Sequence, residues 1–138
     1  MNLLIDTNVI LDILLKREPY YKDAARICVL SEKGHIRSYV SASAVTDIFY
    51  VAKKELKNKQ LALELLKNVL DVINIASVTE ETIYEALDLQ WDDFEDSVQY
   101  VAGNSISAEY IVTRNPKDFS NSDIKVISPE KFINQIIS

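Results

Sequence analysis

Short apolar runs that each end on polar or acidic residues and lead into a stretch of helical periodicity constrain this chain more than any other feature. Leu3-Leu4-Ile5 is closed by Asp6-Thr7-Asn8, after which Val9, Ile10, Ile13 and Leu14 recur at helical spacing, so a buried strand turns into a helix. A second helix is expected over 20–33 with Ala24, Ile27, Cys28 and Ser31 inward; Gly34 stops it before a strand at 36–40. Ser41 or Ser43 can cap the next helix, whose Val45, Ile48, Phe49, Ala52 and Leu56 form one stripe, and 60–70 reads as another helix. Strand three is expected at 72–75, followed by a helix capped by Thr79. Trp91-Asp92-Asp93-Phe94-Glu95-Asp96 opens a further helix with Phe94, Val98, Val101, Ala102 and Ser105 inward. Strand four at 110–113, a polar loop over 114–122, a last strand at 125–127 and a closing helix over 129–136 complete the pattern. Strands alternating with helices imply a parallel sheet covered on both faces, a three-layer α/β/α sandwich, with 1–138 as one domain.

Composition narrows the chemistry. With Cys28 and His35 each alone of their kind, no internal disulfide and no Cys- or His-rich metal site can form, while a hard, oxygen-liking metal survives. Gly34 and Gly103 are too few and too scattered for a phosphate-cradling glycine loop, which makes a nucleotide cofactor an unlikely fit. Lys plus Arg total 15 against 21 acids, a net charge of −6, which argues against broad affinity for nucleic-acid backbone but leaves open a nucleic-acid substrate held through cations. No apolar run approaches the roughly 18 residues that cross a bilayer, and Met1 to Ile5 reaches Asp6 before a signal-peptide core forms. A cytoplasmic protein with no membrane partner is expected.

In an open parallel sheet, reactive groups gather beyond the carboxyl ends of the strands. Asp6 follows strand one, Asp93 and Asp96 open the helix before strand four, Asn115 and Asp118 follow that strand, and Asp47 lies off the apolar stripe of its helix. Carboxylates brought close repel one another unless a cation sits among them, and all-oxygen ligands favour Mg²⁺ or Mn²⁺. Each acid also has a plainer reading. Asp6 and Asp93 suit helix caps, Asp96 an acidic first turn, Asp47, Asp92 and Glu95 solvated surface, and Asn115-Pro116 a turn. His35, Cys28 and the aromatics Tyr20, Tyr21, Phe49 and Tyr50 read as turn or packing residues, the aromatics also as a partner surface.

The order of four segments is more informative than any one of them. Leu4-Ile5-Asp6-Thr7-Asn8-Val9-Ile10-Leu11-Asp12, then Ser41-Ala42-Ser43-Ala44-Val45-Thr46-Asp47, then Asp93-Phe94-Glu95-Asp96-Ser97-Val98-Gln99-Tyr100, then Ile111-Val112-Thr113-Arg114-Asn115-Pro116-Lys117-Asp118-Phe119 resembles the PIN-domain family, especially its VapC-like branch. The resemblance runs from about residue 2 to about residue 130. It implies a metal-dependent ribonuclease fold, often the toxin of a toxin–antitoxin pair, with RNA as substrate, an antitoxin protein as partner and homodimerisation. By position, Asp6 matches the family's first acid, Asp47 stands where Glu is usual, Asp96 matches the third acid and Asp93 is an additional one. Asn115 stands where many members have a fourth Asp, with Asp118 three positions on. On this reading Asp6 and Asp96 hold Mg²⁺ or Mn²⁺, Asp47 and Asp93 position the ion or its water, and Thr7, Asn8 and Ser43 orient ligands or contact phosphate. Arg114, Asn115 and Lys117 contact RNA, with Lys53 or Lys54 as further cations.

Competing readings remain at this point. A haloacid-dehalogenase-type phosphatase needs a second Asp where Asn8 stands, and a receiver domain needs a phosphorylatable Asp where Ile73-Asn74-Ile75 offers none. A catalytically impaired PIN-like interaction module is the alternative that Asn115 raises.

Overall fold

The computed structural model describes residues 1–137. Five parallel strands, β1 (Asn2–Ile5), β2 (Arg37–Ser41), β3 (Asn74–Ala76), β4 (Tyr110–Val112) and β5 (Lys125–Ile127), form one sheet in the order β3-β2-β1-β4-β5. The chain runs outward in one direction from β1 through β2 to β3, then crosses back to place β4 and β5 on the other side of β1. The order therefore reverses between β1 and β4, and the loops leaving these two strands diverge to open a crevice at their carboxyl ends.

Side chains alternate across the sheet, and two clusters result. Leu3, Ile5, Val40 and Val112 face one side, covered by α1 (Thr7–Leu14), α2 (Tyr21–Glu32), α3 (Ala42–Leu56), α4 (Lys59–Leu70) and the closing α7 (Pro129–Lys131). Leu4, Ile111 and Ala76 face the other, covered by α5 (Glu80–Leu89) and α6 (Phe94–Ser105). The expected α/β/α sandwich is thus what the chain forms. Among the described residues no helix is long and apolar enough to cross a membrane.

Local chemistry explains most element boundaries. Thr79 caps α5 through a capping box closed by Thr82. Gly34 follows α2 at φ 79°, a left-handed conformation that glycine adopts without a Cβ clash. Several expectations shift. Ser41 occupies the cap position of α3 but makes no capping hydrogen bond there; its Oγ pairs with Ser43 Oγ at 3.0 Å instead. Val72 and Ile73 donate their N–H groups back to Val69 O and so complete the end of α4, and β3 begins only at Asn74. The 114–122 loop contains a 3-10 helix, Pro116–Phe119, and the closing segment passes from α7 into a π-helical stretch, Phe132–Ile137. In α2, Leu30 rather than Cys28 completes the buried face with Ala24 and Ile27.

α6 departs most from its expected stripe. Phe94 is exposed, and seven consecutive residues from Ser97 to Gly103 are buried, because the helix is enclosed on several sides rather than one. Gly103 makes this possible. A Cβ there would lie 3.2 Å from Ile124 and 3.3 Å from the Leu4 side chain, so the missing methyl lets α6 settle against β1. Replacing it forces overpacking, and Gly103→Val is expected to lower stability by about 1–3 kcal/mol in urea-unfolding measurements.

Candidate active site

The crevice between the ends of β1 and β4 is an open cleft of about 500 Å³. Asp6, Asp47, Asp93 and Asp96 line it, together with Thr7 and Asn8. Three helices with their caps contribute these residues, α1, α3 and α6, and Asp6 and Asp96 are 90 positions apart by subtraction. Glu95, Gln99 and Asp118 complete the polar wall, and Leu11, Tyr50 and Val51 form its apolar floor and rim.

Asp6 is the most constrained of the acids. It is only 5% exposed, and it is also the N-cap of α1, accepting from Thr7 N at 2.8 Å. Its other oxygen accepts from the Thr113 hydroxyl at 2.7 Å, and its own N–H donates to Val112 O at 2.9 Å. The carboxylate thus hangs between β1 and β4. Gln99, one turn beyond Asp96 on α6, donates from Nε2 to Asp96 Oδ1 at 3.5 Å and stands near enough to Asp6 to favour its charged form. Asp93 caps α6 by accepting from Asp96 N at 3.0 Å. The capping roles of Asp6 and Asp93 and their place in the cleft coexist: the same bonds that end the helices aim the carboxylates.

Loss of water in the cleft, more than any other influence, drives Asp6, Asp96 and Glu95 toward their protonated forms. It raises Asp6 although Thr113, the nearby Gln99 and the Thr7 N–H favour its charged form. It pushes Asp96 up to about 7, aided by the negative charges of Asp93, Asp6, Asp118 and Glu95. Glu95, exposed on its outer side, is also pushed up to about 7, first by desolvation, then by the charge of Asp47 and a carboxyl–carboxyl hydrogen bond with it. Among the described residues the ion pairs are those of Arg17 with Asp12 and Glu55 and of Arg114 with Asp12, so no protein cation neutralises these acids.

The donor set fits a hard divalent ion. It is all oxygen, it carries surplus negative charge, and two buried polar atoms at its edge, Thr7 Oγ1 and Gln99 Oε1, have no hydrogen-bond partner. Among the described residues no three His, Cys, Asp or Glu side chains stand together closely enough to hold a metal ion by themselves.

Not every sequence candidate reaches the cleft. Ser43 is engaged with Ser41 at the start of α3, one turn before Asp47. Arg114 turns away: its Nε lies 2.8 Å from the fully buried Asp12, and its guanidinium sits 4.1 Å above the Tyr20 ring. Asn115 precedes the 3-10 helix, its N–H donating to Thr113 Oγ1 at 3.1 Å, while Asp118 lines the cleft. Lys117 borders an adjoining hollow. Sequence reasoning passed over Gln99 and Thr113 and placed Glu95 in solvent. The position of Gln99 at i+3 from Asp96 was the local signal available for it.

Residues 2–117 match the family profile described as PIN domain. Ribonuclease VapC1 of Aquifex aeolicus is 28% identical over 131 residues, covering 93% of this chain and 90% of that protein. The fold recurs in the crystal structure of VapBC2 from Rickettsia felis bound to a DNA fragment from its promoter, with TM-score 0.69, 16% identity and coverage of 93% of this chain and 98% of that one. It also recurs in a toxin–antitoxin complex from Klebsiella pneumoniae, with TM-score 0.67, 20% identity and coverage of 91% and 96%.

Acids with raised native pKa bind more protons folded than unfolded between about pH 4 and pH 7, so metal-free stability falls as pH rises through that window. With solvent screening the net effect is about 1 kcal/mol, or roughly 3–6 °C in Tm. Calorimetry in EDTA is expected to show lower stability at pH 8, above that window, than at pH 5 within it. Mg²⁺ should recover it at pH 8 with little effect at pH 5, and Asp96→Asn should flatten the profile.

Proposed function

This chain belongs to the PIN-domain family, and from that premise we propose that it is a metal-dependent endoribonuclease hydrolysing RNA phosphodiester bonds, the toxin of a toxin–antitoxin pair. The observation that carries the reading is the convergence of Asp6, Asp47, Asp93 and Asp96 on one cleft with no protein cation among them. Burying like charges is costly, and a divalent ion offsets that cost while it attracts a phosphodiester.

In this reading Asp6 and Asp96 hold Mg²⁺ or Mn²⁺, and Asp47 and Asp93 complete its surroundings. An ion bound there supplies an acidified water as nucleophile and positive charge for the departing oxygen. The chain's own residues do the orienting. Thr113 and the Thr7 N–H fix one rotamer of Asp6, Gln99 donates to Asp96, and Asp93 fixes the first turn of α6. Thr7 and Asn8, at the positive end of α1, face the cleft where a phosphate oxygen can be met. Ser43 supports the turn that carries Asp47. Lys117 is the cation placed to follow the RNA backbone, since Arg114 is committed to Asp12, and Asn115 contributes through the loop it starts.

The impaired-module alternative drew on Asn115, which does not line the cleft, whereas Asp118 does. The toxin–antitoxin assemblies among similar structures support an antitoxin as partner. Exposed Leu61 and Leu63 on α4 and Tyr84 and Leu87 on α5 offer apolar surface for it or for a second copy of the chain.

Labelled single-stranded RNA incubated with Mg²⁺, Mn²⁺ or EDTA tests the reading: cleavage with either ion and intact RNA in EDTA is expected. Asp6→Asn and Asp96→Asn should each lower the rate by more than the 10–100-fold typical of losing an outer partner, with Tm retained. Thr113→Val, which leaves Asp6 in place but frees its rotamer, should fall within about that range.

A further inference from the structure

Beside the acid cleft lies a second hollow of about 250 Å³. The two share a wall made by Asp93, Asp96 and Asp118. The far side of the hollow is formed by Trp91, the chain's one tryptophan, with Lys117 and Asn121. The indole is held in place by the fold. It stacks on Tyr100 with ring centroids 4.9 Å apart and planes 28° apart, and it meets Phe119 edge-on at 6.3 Å. Both partners are buried, Tyr100 on α6 and Phe119 at the end of the 3-10 helix.

Charge decides what such a hollow can hold. Lys117 is the sole cation among the residues lining either cavity, and it makes no ion pair among the described residues. Against it stand the shared acids and Asp92, so a phosphate inside the hollow is disfavoured and belongs at the rim beside Lys117. A flat, neutral group with N–H donors suits the interior: its single aromatic wall, Trp91, can stack a base of any identity, and ionised carboxylates only accept hydrogen bonds.

We propose that this hollow is a nucleobase subsite for single-stranded RNA next to the scissile phosphate, with Trp91 as its apolar wall, Lys117 on the adjoining phosphate, and Asp92 and Asp118 favouring guanine over uracil. Guanine presents two adjacent N–H donors to a carboxylate, and uracil one. The inference rests on the nuclease reading of the acid cleft and adds to it a base preference.

Trp91 emission reports on the hollow directly. The Asp6→Asn chain in Mg²⁺ is titrated with end-labelled UUGU and UUUU, with anisotropy of the label read in parallel. A saturable change in Trp91 emission is expected, with Kd for UUGU about tenfold below that for UUUU, the discrimination one paired base edge gives. Lys117→Ala should weaken both RNAs by a similar factor. In the otherwise unaltered chain, Trp91→Leu should raise KM for RNA about tenfold with kcat little changed, and Trp91→Phe should restore it. RNA that binds by anisotropy without altering Trp91 emission, or equal Kd values for the two RNAs, would overturn the subsite while leaving the nuclease reading intact. Failure of the unaltered chain to cleave any RNA with Mg²⁺ or Mn²⁺ would overturn both.

Discussion

A carboxylate at the end of a central strand, almost shut off from water, is unfavourable unless donors surround it. Asp6 occupies that position with the Thr7 N–H and the Thr113 hydroxyl on its two oxygens. These bonds tie β1 to β4 where the strand order reverses, so the group that opens the crevice also defines its width. The other acids are arranged around this one: α6 brings Asp93 and Asp96 to it from the far side of the sheet, and α3 brings Asp47. Their mutual repulsion opposes folding, and the two apolar clusters on either face of the sheet outweigh it.

A second polar network keeps the same strand ends in register. Asp12, fully buried on α1, pairs with Arg114 at 2.8 Å and lies 3.9 Å from Arg17, which reaches Glu55 on α3 at 2.7 Å. Arg114 follows Thr113 directly, so the pair clips the exit of β4 to the helix that Asp6 caps. A buried charge of this kind is strongly destabilising if its partner is removed, which makes the spacing between Asp6 and Thr113 a property of the network rather than of one bond. The two arginines in this region are held by Asp12, Lys117 lines only the adjoining hollow, and the charged residues lining the cleft itself are all acids.

How legible this was in the sequence depended on range. The strands at 2–5, 37–41, 110–112 and 125–127 announced themselves through apolar runs between turn residues. Val72-Ile73 misled because an apolar run at a helix end and one in a strand carry the same local signal, and only the bonds back to Val69 distinguish them. That Asp6, Asp47, Asp93 and Asp96 line one cleft is legible because strand ends and helix starts are local features and their order carries a family resemblance. Glu95 was not, since its partner Asp47 lies 48 positions earlier by subtraction, and no nearby residue hints at the contact. Thr113 bonds Asp6 across |i−j| = 107, which is equally invisible without the fold. A one-sided α6 would turn Phe94 inward, and its enclosure shifts the buried face to Ser97–Gly103 instead.

Whether these carboxylates share a divalent ion decides what the cleft can do. Anomalous diffraction from crystals soaked in Mn²⁺ measures that directly. One strong peak within coordination distance of both Asp6 and Asp96 is predicted; density confined to other surfaces, or none beside Asp6 at saturating Mn²⁺, would contradict it.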